Sequence, residues 1–97
     1  MTYRSLRWRK NVASLYACVR CGSWGVQAAH RDEGKGMGLK TSDALTAALC
    51  PKCHTELGEG RDMNRAERRA EMDHWIVKTL ELLADRGLVK PTSKEST

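Results

Sequence analysis

Four cysteines in two close pairs are the residues of this sequence best suited to bind a metal. Cys18 and Cys21 are separated by two residues, and so are Cys50 and Cys53. Two such pairs can converge on one tetrahedral zinc ion, and a closed shell of four thiolates leaves the ion no open position for catalysis. The spacing therefore predicts a structural zinc site, with buried or disulfide-linked cysteines as the alternative.

Two histidines lie close to these pairs in the sequence. His30 ends an apolar stretch after the first pair, and His54 directly follows the second pair. We expect closure of the zinc site to bring them together, where they would suit metal-assisted phosphodiester hydrolysis. The alternative is that either histidine packs beside the cysteines or replaces one of them as a zinc ligand. His74 lies off the apolar stripe of a predicted helix, so we expect it at the surface.

Short secondary-structure elements are predicted around the cysteine pairs. Residues 4–16 predict a helix, and the apolar stretches 26–31 and 44–49 predict two strands that pair with each other. Residues 32–43 are rich in glycine and lysine and predict a loop. A short helix should run from the second cysteine pair to about Gly58. The expected fold class is α+β.

The clearest element is a long C-terminal helix. Asn64 and Glu67 match a capping box, and Gly87 is placed to end the helix. Between them, apolar residues recur at helical spacing and predict a stripe that closes the core. The stripe consists of Met72, Ile76, Thr79, Leu80 and Leu83.

Length and composition limit the class of protein. With 97 residues, we expect one domain over residues 1–90 and a disordered tail over residues 91–97. We see no apolar run long enough to cross a bilayer and no signal-peptide core, so we expect a cytoplasmic protein without membrane contact. In that reducing compartment, paired cysteines favour metal over disulfides.

Positive charge is concentrated at the N-terminal end. The net charge is +5, and residues 1–31 carry six basic residues and no acidic one. This asymmetry favours DNA or another polyanion as partner, with a face solvated for solubility as the alternative. The candidate nucleic-acid contacts are Arg7, Arg9, Lys10, Arg20, Arg31, Lys35 and Lys40.

The order of these motifs resembles the HNH endonucleases of the ββα-metal fold. It is most similar to small phage and prophage nuclease-like proteins whose central loop has the sequence Gly-Lys-Gly-Met-Gly, found here at residues 34–38. The resemblance covers about residues 12–62 and includes the cysteine pairs, Ala29-His30 and Cys53-His54. It implies a zinc-stapled domain with DNA endonuclease activity and His30 as general base. It also implies that His54 binds a catalytic divalent ion such as Mg²⁺, Mn²⁺ or Ni²⁺.

Two positions depart from the family pattern. Ala29 stands where many members have a metal-binding Asp, and Leu45 stands where they have a central Asn. Asp43 is the nearest polar substitute, and we expect it to bind the metal or to position His30. The departures favour a rival function, a non-catalytic zinc module that binds DNA or a protein partner.

A third alternative is an adaptor that uses tryptophans as anchors for a partner protein. The chain has three tryptophans and no phenylalanine. Scattered tryptophans in such a chain are expected in the core, so this alternative ranks last. The tryptophans concerned are Trp8, Trp24 and Trp75.

Overall fold

The computed structural model describes residues 3–31, 42–59 and 63–89. This described part is an α+β arrangement of three helices and one two-stranded sheet, as predicted. Lys35, Lys40 and the tail after Val89 lie outside it. None of its helices is long and apolar enough to cross a membrane. In chain order the elements are α1 (Leu6–Ala13), β1 (Gln27–His30), β2 (Thr46–Leu49), α2 (Pro51–Glu59) and α3 (Arg65–Asp85).

Strands β1 and β2 form an antiparallel ribbon, which confirms the predicted pairing. Gln27 lies opposite Leu49, and His30 lies opposite Thr46. Side chains alternate between the two faces of a strand. Gln27 and His30 are three positions apart, so they belong to opposite faces of the ribbon.

The core has two clusters, one on each face of the ribbon, and α3 contributes to both. The second cluster packs against α1. The ribbon is therefore enclosed by α2 and the cysteines on one side and by α1 on the other. The first cluster consists of Cys18, Ala29, Ala47, Leu49, Cys50, Cys53, Leu57, Met72 and Ile76, and the second consists of Val12, Leu15, Ala48 and Leu83.

Helix α3 covers the outer edge of β2. The backbone N–H of Ala48 donates to the Thr79 hydroxyl (3.1 Å), and that hydroxyl donates to the carbonyl of Trp75 (2.8 Å). The N–H of Val19 donates to the carbonyl of Ala48 (3.0 Å). The edge of β2 therefore has partners for both its polar backbone groups at Ala48.

The ends of α3 follow local sequence signals. Asn64 accepts from the Glu67 N–H, and the Glu67 side chain accepts from the Asn64 N–H, which confirms the capping box. At the other end Gly87 has φ +72, a conformation that glycine adopts without steric cost. Its N–H donates to the carbonyl of Ala84 (3.0 Å).

The predicted apolar stripe of α3 is wrong at one residue. Met72, Thr79 and Leu83 are buried, but Leu80 is 44% exposed. At 100° per residue, Leu80 lies about 70° round the helix from the centre of the buried line. A purely apolar pattern favours Leu80 for burial. In the structure Thr79 is the buried residue of the two, and its hydroxyl is bound to the edge of the ribbon.

Helix α1 is shorter than the predicted span of residues 4–16. The Ser5 side chain accepts from the N–H of Trp8 (3.1 Å) and caps the start of the helix. The chain leaves the helix after Ala13. Tyr16 then has φ +64, a left-handed conformation that is uncommon outside glycine.

Candidate metal centre and the two histidines

The four cysteines converge on one point. Their Sγ atoms all lie within 4.8 Å of one another, and those of Cys21 and Cys50 are 3.6 Å apart. A tetrahedral zinc ion with Zn–S bonds of about 2.3 Å needs Sγ atoms about 3.8 Å apart. The quartet therefore fits a metal ion such as zinc. Within the described ranges it is the one group of three or more His, Cys, Asp or Glu side chains that could hold an ion.

Short local structures place the four thiols. The N–H of Cys18 donates to the carbonyl of Ser23, and the N–H of Gly22 donates back to the carbonyl of Cys18 (both 2.8 Å). Gly22 has φ +82, which suits glycine in this tight turn. On the other side, Cys50 directly follows the last residue of β2 and Cys53 lies in the first turn of α2. Both predicted cysteine pairs are therefore held by local structure in positions from which they could bind one metal ion.

The environments of the thiols differ strongly. Burial raises the pKa of Cys53 to about 12, although a hydrogen bond from Arg20 opposes this effect. Hydrogen bonding with Ser23 lowers the pKa of the exposed Cys21 to about 6. A bound zinc ion would hold all four groups as thiolates, since coordination deprotonates a thiol outright.

Arg20, between Cys18 and Cys21, connects the first cysteine pair to α2 and α3. Its Nη1 atom lies 2.6 Å from Oε1 of Glu56, and its Nε atom lies 2.5 Å from Oε1 of Glu71. These carboxylates raise the pKa of the guanidinium and compensate its charge. The predicted contact of Arg20 with DNA stays untested. In this arrangement the side chain joins the cysteine cluster to α2 and α3.

His30 is paired with a buried carboxylate on the α1 side of the ribbon. Nε2 of His30 lies 2.7 Å from Oδ1 of Asp43, and Asp43 is 0% exposed. Oδ2 of Asp43 accepts from the N–H of Ser5 (2.6 Å). Arg4 and Arg9 approach the two oxygens to 3.3 and 3.2 Å. Both oxygens are therefore occupied, so the contacts of Asp43 suit positioning of His30 better than metal binding.

The charge state of Asp43 follows from these contacts. Burial alone raises the pKa of its carboxyl, but hydrogen bonds from His30 and Ser5 and the charges of Arg4 and Arg9 lower the pKa below its usual value. An ionised carboxylate can only accept hydrogen bonds, so the proton of neutral His30 lies on Nε2. Nδ1 of His30 then keeps a lone pair. The side chain is 33% exposed, which leaves it open to solvent.

His54 lies on the other face of the ribbon. Its Nδ1 atom is 2.5 Å from Nε2 of Gln27, the first residue of β1. His30 is the last residue of that strand, about 10 Å along it. The expectation that zinc closure brings the two histidines together is therefore wrong, because the ribbon separates them. Nε2 of His54 takes no part in the bond to Gln27.

Comparisons with known proteins give no indication of function beyond that of the residues described above. Protein-family models, curated proteins and solved structures give no match to this chain. The likeness to HNH endonucleases therefore rests on the motifs themselves.

The two departures from the HNH pattern belong to the core. Ala29 is fully buried and lies opposite Ala47 across the ribbon. Leu45 is partly buried against the cysteine-containing cluster. These positions fill apolar space and offer no metal ligand.

The predicted DNA contacts differ in how their charge is used. Arg7 and Lys10 are exposed on α1, whereas Arg9 lies beside Asp43. Arg31 is paired with Asp73 at 2.7 Å. Contact with DNA stays a prediction for all of them, and the charges of Arg7 and Lys10 are the ones that face solvent without an ion pair to the described part of the chain.

Several contacts at these sites were not predicted from the sequence. Arg4 and Ser5, which directly precede α1, contact Asp43, and Gln27 contacts His54. Their residue types are common on protein surfaces, and each contact joins residues far apart in the chain. The excess of basic residues over positions 1–31 was the signal that could have indicated a contact with an acidic side chain.

Proposed function

We propose that the protein is a metal-dependent DNA endonuclease in which His30 acts as general base on water. The observation that carries this proposal is the pair of His30 with the buried, ionised Asp43. The carboxylate holds the imidazole by Nε2 and keeps the lone pair of Nδ1 available. A base oriented in this way can take a proton from a water molecule as the water attacks phosphorus. The ribbon followed by α2 beside the cysteine cluster supports the ββα-metal fold that the sequence motifs imply.

The surroundings of the pair are suited to a phosphate. Arg4 and Arg9 lie against Asp43 while their side chains stay 44% and 41% exposed. A guanidinium has five N–H donors, so either arginine can contact Asp43 and a phosphodiester oxygen together. Such donors stabilise the extra negative charge that develops on the phosphoryl oxygens in the transition state.

The divalent ion would come with the DNA. Mg²⁺ commonly keeps several waters and binds through one or two protein groups together with substrate phosphates. When bound, such an ion would polarise the scissile phosphate and stabilise the leaving oxygen. The resemblance to HNH endonucleases implies that His54 holds this ion. Because His54 and His30 lie on opposite faces of the ribbon, the role of His54 needs its own variant.

Cleavage of supercoiled plasmid tests the proposal. Zinc-loaded protein is incubated with Mg²⁺, Mn²⁺, Ni²⁺ or no added divalent ion, in parallel with His30→Ala, His54→Ala and the control His74→Ala. A general base contributes about 10²- to 10⁴-fold, so His30→Ala should lose at least two orders of magnitude in cleavage rate. The exposed His74 should be dispensable. Cleavage by His30→Ala at the wild-type rate would overturn the proposal.

A second candidate is a non-catalytic zinc module that binds DNA or a protein partner. The burial of Ala29 and the partial burial of Leu45, at the family's ligand positions, favour it. This candidate predicts DNA binding that weakens steeply with salt, with no cleavage in any metal. An adaptor for a protein partner would bind with little dependence on salt.

A further inference from the structure

Two aromatic rings stand together on the surface beside the first cysteine pair. Trp24 is 79% exposed and Tyr16 is 61% exposed, so the expectation that all three tryptophans belong to the core is wrong. Their ring centroids are 6.4 Å apart with an interplanar angle of 45°. The proposed hydrolysis at His30 makes no use of them.

The backbone holds this pair in place. Tyr16 has φ +64, a conformation that costs energy for a residue with a side chain. The N–H of Gly25 donates to the carbonyl of Tyr16 (2.9 Å), and Ala17 forms a bridge with Trp24. Cys18 follows directly. The backbone that carries the two rings is therefore held by the same turn that carries Cys18 and Cys21.

Helix α1 connects this aromatic pair to His30. The helix begins at Leu6, beside the Asp43 contact of Ser5, and ends at Ala13, three residues before Tyr16. Its eight residues span about 12 Å. Arg7 and Lys10 are exposed along it, and residues 3–31 contain no acidic side chain.

We propose that Tyr16 and Trp24 form a stacking site for unpaired bases of a DNA strand. The phosphates of that strand follow Arg7 and Lys10 along α1 toward His30. Nucleobases have flat apolar faces that stack on aromatic side chains without sequence preference, and the exposed positive charges of Arg7 and Lys10 attract the phosphates. The inference rests on the proposed function and narrows its substrate to DNA with single-stranded segments, because the bases of an intact duplex are stacked on each other.

Binding without added divalent ion tests this inference separately from cleavage. Fluorescence anisotropy compares a short labelled single strand with the blunt duplex of the same sequence. Stacking contributes about 1–3 kcal/mol per base, so Trp24→Leu should weaken binding of the single strand by about tenfold or more. Trp24→Phe should keep most of the affinity. The control Val77→Ala removes another exposed apolar side chain, 64% exposed on α3, and should change nothing.

Two further measurements strengthen the design. Tyr16→Asn removes the aromatic ring and introduces a residue that tolerates the left-handed conformation. It should also weaken strand binding. Quenching of tryptophan fluorescence by the strand should disappear in Trp24→Phe, because Trp24 is the tryptophan of the stacking site. Zinc content and circular dichroism of each variant verify that the fold is intact.

Each outcome decides the inference. Equal affinity of wild type and Trp24→Leu for the single strand would overturn it, even if plasmid is still cut. Capture of a peptide partner by the aromatic pair, with no loss of strand affinity in the variants, would also overturn it. If Trp24→Leu loses strand binding but no metal supports cleavage, the stacking site stands and the nuclease proposal fails.

Discussion

Asp43 accepts a hydrogen bond of 2.7 Å from Nε2 of His30, although thirteen residues separate them in the chain. The contact joins the end of β1 to the turn that precedes β2. It is reinforced from a third element, because the N–H of Ser5 at the start of α1 donates to the same carboxylate. The environment of His30 thus depends on α1 as well as on the ribbon.

Replacement of Asp43 should affect both activity and acid stability. Asp43→Asn removes a buried carboxylate that accepts charged hydrogen bonds, and we expect the free energy of unfolding at neutral pH to fall by about 1.5–3 kcal/mol. Plasmid cleavage should fall by about tenfold or more, because the imidazole loses its fixed tautomer. Urea denaturation and plasmid nicking measure the two effects.

The pH dependence has a definite sign. The pKa of Asp43 is lowered in the folded protein, so its contribution to stability is present above the unfolded value of about 3.9 and is lost as the pH falls through the lower folded value. Wild type and Asp43→Asn at equal zinc loading should therefore converge in stability as the pH falls below about 4. A difference between them that stays constant well below about pH 4 would contradict this role.

Zinc removal should unfold the protein. Elemental analysis should find one zinc per chain, and Cys50→Ala should abolish both the zinc and the far-ultraviolet circular dichroism of the fold. Binding of structural zinc supplies about 10–16 kcal/mol in small zinc domains. This is more than the small core described above can replace.

Ser23→Ala is the matched control for the zinc prediction. It removes a hydroxyl next to the exposed Cys21 (3.3 Å) and keeps all four thiols. Zinc content should stay at one per chain in this variant. A wild-type chain that stays folded after complete chelation of its metal would disprove the structural role.

Arg20 is predicted to act on stability and not on DNA affinity. Lysine cannot reach Glu56 and Glu71 with the two directed contacts of a guanidinium. Arg20→Lys should therefore lower the free energy of unfolding by about 1 kcal/mol, measured by denaturation. The control Arg7→Lys changes an exposed residue of the same type and should stay within about 0.5 kcal/mol. Weaker DNA binding by Arg20→Lys, with unchanged stability, would instead assign Arg20 to the DNA surface.

Thr79 is predicted to stabilise the edge of β2. Thr79→Val keeps the shape but leaves the N–H of Ala48 without its partner, which costs about 1–3 kcal/mol for a buried group. Thr79→Ser keeps the hydroxyl and should cost less, since only a methyl group is lost. Hydrogen exchange of the Ala48 amide should accelerate in the valine variant. A valine variant as stable as the wild type would show that the hydrogen bond contributes nothing.

Local signals predicted the secondary structure well, because they act within a few residues. The capping box of Asn64 and Glu67 and the left-handed Gly87 bound α3 as expected. The spacing of the cysteines likewise determined the candidate metal site, since two cysteines with two residues between them can bind the same metal ion. The length of α1 was predicted less well, because its end is set by the turn at Tyr16 and not by an apolar pattern.

The sequence by itself thus determined the α+β class, the cysteine quartet and the basic N-terminal segment. Only the tertiary structure decided how the remaining polar side chains are paired. Asp43 is hydrogen-bonded to His30, and Arg20 forms an ion pair with Glu71. Both contacts join distant parts of the chain. It also decided that His30 and His54 lie apart. Successive residues of a strand face opposite sides, so His30 and Gln27, the residue that contacts His54, belong to opposite faces of the ribbon. Which side receives α1 and which receives the cysteines depends on packing of the whole domain, and no local pattern encodes that choice.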